Sequence, residues 1–151
     1  MKLISHRGNT TGRVHELENT PGYIDLAISK GFDVEVDVWR VNGNLFLGHD
    51  KAETIVDIEF LLTRADKLWV HCKNIDALHN LVKHDELNVF FHDSDEVTLT
   101  SKRYLWTYPG RKVLFGDIND NRSVCVLPEN YAITYISCFG ICSDYIQNYK
   151  Q

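Results

Sequence analysis

The chain lacks two features that would each point to a particular class of protein. No stretch approaches the roughly 18 consecutive apolar residues of a membrane-spanning helix. No block of lysine and arginine stands out, and 16 basic against 21 acidic residues give a formal net charge of −5. Binding of nucleic acid through a basic face is therefore not expected. A negative net charge still permits a phosphate-bearing substrate, because a bound metal ion can supply local positive charge.

Cysteine pairs at metal-site spacing are also missing. The four cysteines form no CxxC pair, and Cys138 and Cys142, four apart, have no second pair to complete a zinc pattern. No export signal is visible, so we expect reduced, mostly buried cysteines and a cytoplasmic protein. The 151 residues are 44% hydrophobic and 25% charged, as in ordinary globular proteins. We expect one domain over residues 1–151.

The hydrophobic pattern alternates strands with helices over the first two-thirds of the chain, which favours a mainly parallel sheet or barrel. Residues 2–5 and 32–39 are predicted strands, and the helix between them begins at Pro21 and ends near Gly31. Further predicted strands cover residues 45–47, 68–72, 88–91, 104–107, 113–115, 124–127 and 140–142, and further predicted helices cover residues 55–65 and 76–83.

Four titratable side chains are expected where these strands end. His6 closes the first strand, Glu35 and Asp37 share one face of the second, and His49 follows the short extended segment. Two carboxylates can hold Mg²⁺ or Ca²⁺, and such an ion would neutralise a phosphodiester. The histidines could then deprotonate a nucleophile and protonate the leaving alkoxide, while Arg7 grips the phosphate oxygens.

The order and spacing of four motifs over residues 3–50 resemble those of the glycerophosphodiester phosphodiesterase family. This family belongs to the phospholipase-C-like phosphodiesterase barrels, and sphingomyelinase-D-type enzymes are related to it. The motifs are His6-Arg7-Gly8, Glu18-Asn19-Thr20, Gly31 followed by Glu35-x-Asp37, and Gly48-His49-Asp50. A weaker likeness to the last barrel strand of the family lies in residues 140–145. Matches near both ends lead us to expect a complete fold that is compressed internally.

The resemblance implies a phosphodiesterase and gives a role to each motif residue. His6 and His49 would form the general acid/base pair, and Glu35 and Asp37 would be metal ligands. Arg7 would lie near the phosphate, and Glu18 would brace the site by hydrogen bonding. We therefore expect an enzyme that cleaves a small glycerophosphodiester-like substrate with one divalent ion.

The third main strand departs from the family pattern. Where the family carries Glu-x-Lys, this chain has His71-Cys72-Lys73, so that the phosphate-contacting lysine is kept and the metal-ligating glutamate is replaced. Imidazole suits Mn²⁺ or Zn²⁺ better than Mg²⁺ or Ca²⁺, which leaves the identity of the ion open among these four. His71 is either a ligand or a core residue that supports the ligands.

The length of the chain is the second departure. An eight-stranded barrel takes about 250 residues, so 151 residues cannot place a full helix after every strand. We expect an α/β fold, a compact TIM-type (β/α) barrel with several helices shortened or missing, mainly in the C-terminal half. Such a barrel could cover its bare strands by forming a homodimer. Trp106 is expected to offer the substrate an aromatic wall, because the family often has an aromatic residue late in the barrel.

Two other functions stay open. A catalytically degenerate barrel would bind phosphodiesters or a partner protein without turnover, which the lost third carboxylate would explain. An enzyme whose substrate supplies the attacking hydroxyl would form a cyclic phosphate and act as a lyase. The presence of both histidines favours catalysis, since a pure binding module has little need for two titratable groups.

Overall fold

The computed structural model describes residues 1–108, 122–131 and 137–150, which form a curled mixed sheet with α-helices packed on its outer face. The strands found in these ranges are β1 (Lys2–His6), β2 (Asp33–Val41), β3 (Asn44–Leu47), β4 (Thr54–Val56), β5 (Leu68–Cys72), β6 (Asn88–Phe90), β7 (Val97–Leu99), β8 (Leu105–Thr107), β9 (Ser123–Val126) and β10 (Gly140–Ser143). The helices are α1 (Pro21–Ser29), α2 (Ile58–Leu62) and α3 (Ile75–Leu81), together with 3₁₀ turns at Pro128–Tyr131 and Ile146–Tyr149.

β2 lies at the centre of the sheet and organises the ends of its neighbours. β1 pairs in parallel with one edge of β2, which sets His6 opposite Glu35, and β5 pairs with the other edge, which sets His71 opposite Asp37. Parallel pairing continues from β1 through β10 and β9 to β8, and from β5 to β6. Because β2 extends beyond β1, the antiparallel strand β3 pairs with its far end and brings His49 back to the same edge.

The prediction of a compact TIM-type (β/α) barrel is wrong. The sheet is mixed, because β3, β4 and β7 run antiparallel to their partners. Within the described ranges, β6 and β8 form no ladder with each other, and all three α-helices precede β6. Beyond β6 the described connections are a hairpin and 3₁₀ turns. A chain of this length has too few residues for a helix after each strand, so the sheet curls without becoming a helix-covered barrel.

Hydrogen bonds join the β7–β8 hairpin to the edge strand β6 and the residue that follows it. The Thr98 hydroxyl donates to the carbonyl of Phe91 at 2.9 Å. The amide of Ser101 donates to the carbonyl of Val89 at 2.8 Å, and the amide of Val89 donates to the Ser101 hydroxyl at 3.0 Å. These contacts hold the hairpin against β6 and leave a concave interior.

The two faces of the curled sheet bury different kinds of side chain. On the outer face, the valines of β2 pack against the helices in a cluster that includes Ile24 of α1 and Leu81 of α3. The concave face is filled by aromatic rings, with Trp106 centred 5.7 Å from Trp69 and 4.7 Å from Phe90. Alternation along β2 therefore sends its carboxylates inward, to the same side as these rings.

Local predictions hold for some segments and fail for others. The helix predicted over residues 55–65 is instead strand β4 followed by the short helix α2, whose first turn is capped by an Asp57 carboxylate oxygen that accepts from the amide of Phe60 at 2.8 Å. Strand β7 was not predicted. The strand predicted over residues 113–115 lies outside the described residues. The other predicted strands and helices are confirmed to within a few residues at their ends.

Candidate active site

A cleft of about 660 Å³ opens at the edge where β1, β2 and β5 end. Seven of the eight predicted site residues line it, namely His6, Arg7, Glu35, His49, His71, Lys73 and Trp106. The eighth, Asp37, is fully buried and lies within 4 Å of four of them. All eight predicted residues therefore lie at one site.

One oxygen of Asp37, Oδ2, is held by three groups. It accepts from Asn19 Nδ2 at 2.9 Å and from His49 Nδ1 at 3.1 Å, and it lies 3.0 Å from Arg7 Nε. Burial disfavours the charged carboxylate, but the contacts with His49 and His71 and the charge of Arg7 outweigh it and hold the pKa of Asp37 well below its usual range. Asp37 is therefore an ionised carboxylate in the interior.

The backbone at the first two motifs is left-handed, which presents their side chains to Asp37. Arg7 has φ of 56° and Asn19 has φ of 57°, a region costly for most residues and tolerated best by asparagine and glycine. Asn19 also accepts from the amide of Asp37 at 2.9 Å, so it grips both the main chain and the side chain of that residue. At Gly8, with φ of 94°, a Cβ would lie 2.6 Å from the Tyr23 ring. Only glycine fits the turn that follows Arg7.

Glu35, Asp37 and His71 form a candidate metal centre. Each can offer one ligand atom such that the three lie within 4.8 Å of one another. Glu35 Oε2 and Asp37 Oδ1 are buried and have no hydrogen-bond partner among the described residues. His71 Nδ1 lies 3.0 Å from Asp37 Oδ1 and 3.6 Å from Glu35 Oε1, close in distance without hydrogen-bond alignment. Buried carboxylate oxygens without donors are costly unless a cation sits near them. The donor set fits a divalent ion.

The charge of His71 reflects the two carboxylates beside it. Burial alone would lower the pKa of the imidazole, but Asp37 and Glu35 raise it to about 9. At neutral pH the ring is thus a cation facing two anions. A metal ion bound at Nδ1 would displace that proton, since only the deprotonated nitrogen is a ligand.

His6 has a carboxylate partner that the sequence did not reveal. Its Nδ1–H donates to Asp144 Oδ1 at 2.8 Å, and the same oxygen accepts from Asn9 Nδ2 at 2.9 Å. This fixes the tautomer, so that Nε2 is the free nitrogen and faces Glu35 Oε2 at 3.9 Å. Burial opposes the charge of Asp144, but the contact with His6 lowers the pKa of the carboxyl below its usual value.

His49 is held in the same way on the other side of the cleft. Because Nδ1–H donates to Asp37, Nε2 is the accepting nitrogen, and it lies 3.2 Å from Arg7 Nη2. The His49 side chain is 38% exposed, against 9% for His6. Both rings thus present Nε2 as the atom that can exchange a proton.

Lys73 and Trp106 complete the predicted set, and His92 joins it. Lys73 Nζ lies 3.6 Å from Asp37 Oδ1 with only 16% of its side chain exposed. Trp106 is 4% exposed, so it packs among the aromatic rings of the concave face and also lines the cleft. His92, which also lines the cleft, stacks on the His71 ring with centroids 4.5 Å apart. Burial and the nearby charge of His71 lower the pKa of His92 to about 4, so this ring is neutral.

Sequence reasoning missed Asp144, Asn9 and the role of Asn19 in holding Asp37. Asp144 directly follows β10, the strand that resembles the last strand of the family, so its position is a usable signal. Asn9 follows the first motif directly and lies on the same loop. Nothing local indicated that its amide reaches a carboxylate 135 positions away.

Comparison with known proteins identifies no relative: no protein-family model matches the chain, and neither a curated protein nor a solved structure is significantly similar to it. Among the described residues, no helix combines the length and the apolar character needed to cross a bilayer.

Proposed function

We propose that the chain is a metal-dependent phosphodiesterase that cleaves a small glycerophosphodiester-like substrate by general acid/base catalysis. The observation that carries this proposal is the pairing of His6 and His49. Each ring lines the cleft and donates from Nδ1 to a carboxylate, which leaves Nε2 as the nitrogen that exchanges protons, and two buried carboxylate oxygens without donors lie beside them. A site used only for binding would not need two oriented imidazoles.

Glu35, Asp37 and His71 would hold the divalent ion. That ion would neutralise the phosphate and stabilise the negative charge that grows in the transition state. The fit rests on the two buried oxygens described above and on the clustering of three ligand atoms. Asn19 and Arg7 both contact Asp37 Oδ2. The other oxygen, Oδ1, is therefore the one that could bind the metal ion.

The cationic side chains around the cleft would bind the phosphate. Arg7 lies between Asp37, Glu18 and His49, so its guanidinium is fixed in direction before any substrate enters. Lys73 adds a second positive charge near the carboxylates. Together these groups would orient the phosphodiester between the two histidines without large side-chain rearrangement.

The two histidines would divide the proton transfers. One neutral ring accepts at Nε2 the proton of the attacking hydroxyl, from water or from the substrate itself. The other ring would enter the step protonated at both nitrogens and deliver its Nε2 proton to the leaving alkoxide oxygen. Asp144 and Asp37 stabilise whichever ring becomes cationic, because each already accepts its Nδ1–H. Water as the attacking group gives a hydrolase, and a substrate hydroxyl gives a cyclic phosphate.

The test is cleavage of an aryl phosphodiester and of glycerophosphodiesters with Mn²⁺, Mg²⁺, Ca²⁺ or Zn²⁺. His6→Ala and His49→Ala are each expected to lower the rate by about 10²–10⁴-fold, while His79→Ala, an exposed histidine of α3, is the matched control. Phosphorus NMR of the product separates hydrolysis from cyclisation. Turnover in either cleft variant equal to that of the control would contradict the catalytic assignment.

A catalytically inactive binding module is the second candidate, and the histidine at the third ligand position favours it. This reading predicts tight binding of a phosphodiester with no turnover under any of the four ions. The same assay, run beside a binding measurement, separates the two functions.

We also propose that the protein works in a reducing compartment, the cytoplasm. All four cysteines are free. Burial raises the pKa of Cys72 and of Cys125 to about 12, so both are protonated thiols at neutral pH. Labelling of the native protein with a thiol reagent should leave these two unmodified until the protein unfolds.

A further inference from the structure

The third ligand position of the metal centre is rigidly built. His71 lies on β5 directly opposite Asp37 on β2, so the strand register sets the two side chains next to each other. Its ring stacks on Phe90 with centroids 5.1 Å apart and an interplanar angle of 5°, and on His92 at 4.5 Å and 7°. Neighbouring rings therefore fix the plane of the imidazole.

A main-chain contact fixes which nitrogen faces the carboxylates. His71 Nε2 lies 3.4 Å from the carbonyl oxygen of His92, and a carbonyl can only accept, so Nε2 carries the proton in this contact. Nδ1 is then the atom directed at Asp37 and Glu35. A hydrogen bond from the outer nitrogen to a carbonyl is the arrangement that commonly orients metal-binding histidines.

Glu35 and Asp37 can each place a carboxylate oxygen within 4.8 Å of a ring nitrogen of His71. Glu35 is 2% exposed and Asp37 is fully buried, and each contributes an oxygen that no described donor occupies. The ligand set that these residues supply is therefore two carboxylate oxygens and one imidazole nitrogen. Mg²⁺ and Ca²⁺ favour sites built from oxygen alone, whereas divalent transition-metal ions such as Mn²⁺ and Zn²⁺ accept an imidazole nitrogen more readily.

We infer that this centre selects a transition-metal ion, Mn²⁺ or Zn²⁺, over Mg²⁺ and Ca²⁺, and that His71 Nδ1 is the ligand that makes the selection. The inference deepens the proposed function and rests on its metal site. It also has an electrostatic consequence. A neutral imidazole adds no negative charge, so the ion and the two carboxylates sum to zero. A third carboxylate would leave one negative charge facing the anionic substrate.

The first experiment measures nitrogen coordination directly and needs no activity. The full-length protein is stripped of metal with a chelator and loaded with Mn²⁺, and pulsed electron paramagnetic resonance records the modulation from ¹⁴N bound to the ion. We expect ¹⁴N coupling in the wild type and in His79→Ala. Mn²⁺ bound without ¹⁴N coupling, or binding of neither Mn²⁺ nor Zn²⁺ to the stripped protein, would overturn the inference.

The second experiment reverses the selectivity. His71→Glu restores an all-oxygen ligand set, so competition between Mn²⁺ and Mg²⁺ should move toward Mg²⁺ and the ¹⁴N coupling should disappear, while His79→Ala keeps both properties of the wild type. An unchanged preference in a folded His71→Glu protein would contradict the inference. If that variant does not fold, His71→Ala and His6→Ala decide the question, because only the first should lose the ¹⁴N coupling; loss of the coupling in His6→Ala instead would contradict the inference.

Activity measured on the same samples separates this inference from the proposed function. Nitrogen-bound metal with no phosphodiester cleavage leaves the inference standing and refutes the enzyme. Cleavage that Mg²⁺ supports as well as Mn²⁺, without ¹⁴N coupling, refutes the inference and leaves the enzyme standing.

Discussion

His6 and His49 have the same local design but draw on different carboxylates. Each donates from Nδ1 to a carboxylate, and an asparagine side chain donates to that same carboxylate. For His6 the partner is Asp144, which is not one of the three candidate metal ligands, whereas for His49 it is Asp37, which is. The two halves of the acid/base pair should therefore respond differently to loss of their partners.

The difference extends to solvent. The His6 side chain is 9% exposed and that of His49 is 38% exposed. The buried ring relies on its own carboxylate for orientation, while the half-exposed ring is also placed by Arg7. One cleft thus holds a histidine that is accessible from solvent, His49, and a histidine that is buried, His6. The comparison predicts which substitutions will separate proton transfer from metal binding.

The largest effect is expected from comparing Asp37→Asn with Asp144→Asn. Asp37→Asn removes a ligand and the partner of His49 together, so both metal binding and turnover should be lost. Asp144→Asn disturbs His6 and Asn9 but none of the candidate metal ligands, so turnover should fall by about 10²–10⁴-fold with the metal affinity unchanged. The measurements are kcat/KM on an aryl phosphodiester and a Mn²⁺ titration by electron paramagnetic resonance. Loss of metal binding in Asp144→Asn would break the comparison.

Substitution of Asn19 or Asn9, the asparagines that hold the two carboxylates, should have a smaller effect than loss of a carboxylate. Asn19→Ala leaves buried groups of Asp37 without partners and places alanine at φ of 57°, so the free energy of unfolding should fall by about 1–3 kcal/mol. Metal affinity should fall with it. Asn19→Gly is the control, since glycine accepts that backbone but cannot hydrogen-bond Asp37.

Asn9→Ala is the counterpart on the His6 side. Its amide bonds to Asp144 and Glu18, and its carbonyl oxygen accepts from the amide of Val14 at 3.1 Å. We expect a similar loss of about 1–3 kcal/mol in the free energy of unfolding with the metal affinity unchanged. Urea unfolding and the same Mn²⁺ titration measure both quantities. Equal loss of metal affinity in Asn9→Ala and Asn19→Ala would show that the two sides are not independent.

Residues close together in sequence made much of this site predictable. The alternation of valine with Glu35 and Asp37 fixes which face of β2 is inward, because side chains two apart share a face. The ends of β1 and β5 follow from short apolar runs before His6 and at residues 68–72. Parallel pairing then brings these ends together whether or not the sheet closes into a barrel.

Contacts between distant parts of the chain explain what could not be predicted. The partner of His6 is 138 positions away, and no local pattern pairs a histidine with a particular carboxylate at that distance. The apolar run over residues 54–62 fits a strand or a helix, and only pairing with β3 makes its first part β4. The curl of the sheet depends on side-chain bonds such as that from Thr98 to Phe91, which have no periodic signature.

Glu18 contacts both Arg7, which lies beside His49, and Asn9, which lies beside Asp144. Its protonation at low pH gives the smallest expected effect on the free energy of unfolding. Its carboxylate accepts from Asn9 Nδ2 at 2.9 Å, Arg13 Nε at 3.1 Å and Arg7 Nη1 at 3.3 Å. Burial opposes the charge, but the hydrogen bonds from Arg13 and Asn9 and the charge of Arg7 lower the pKa of Glu18 to about 2. An unfolded glutamate has a pKa of about 4.3.

Because the folded pKa is the lower one, Glu18 stabilises the native state fully above the unfolded value, and that contribution is lost as pH falls toward 2. The difference in unfolding free energy between the wild type and Glu18→Gln should therefore be largest at pH 5–7 and shrink steadily below about pH 4. Urea unfolding at several pH values measures it. Glu16→Gln, an exposed neighbour on the same loop, separates the loss of a charge from the loss of its partners. A difference that stays constant down to pH 3 would mean that the charge of Glu18 does not contribute to the stability of the native state.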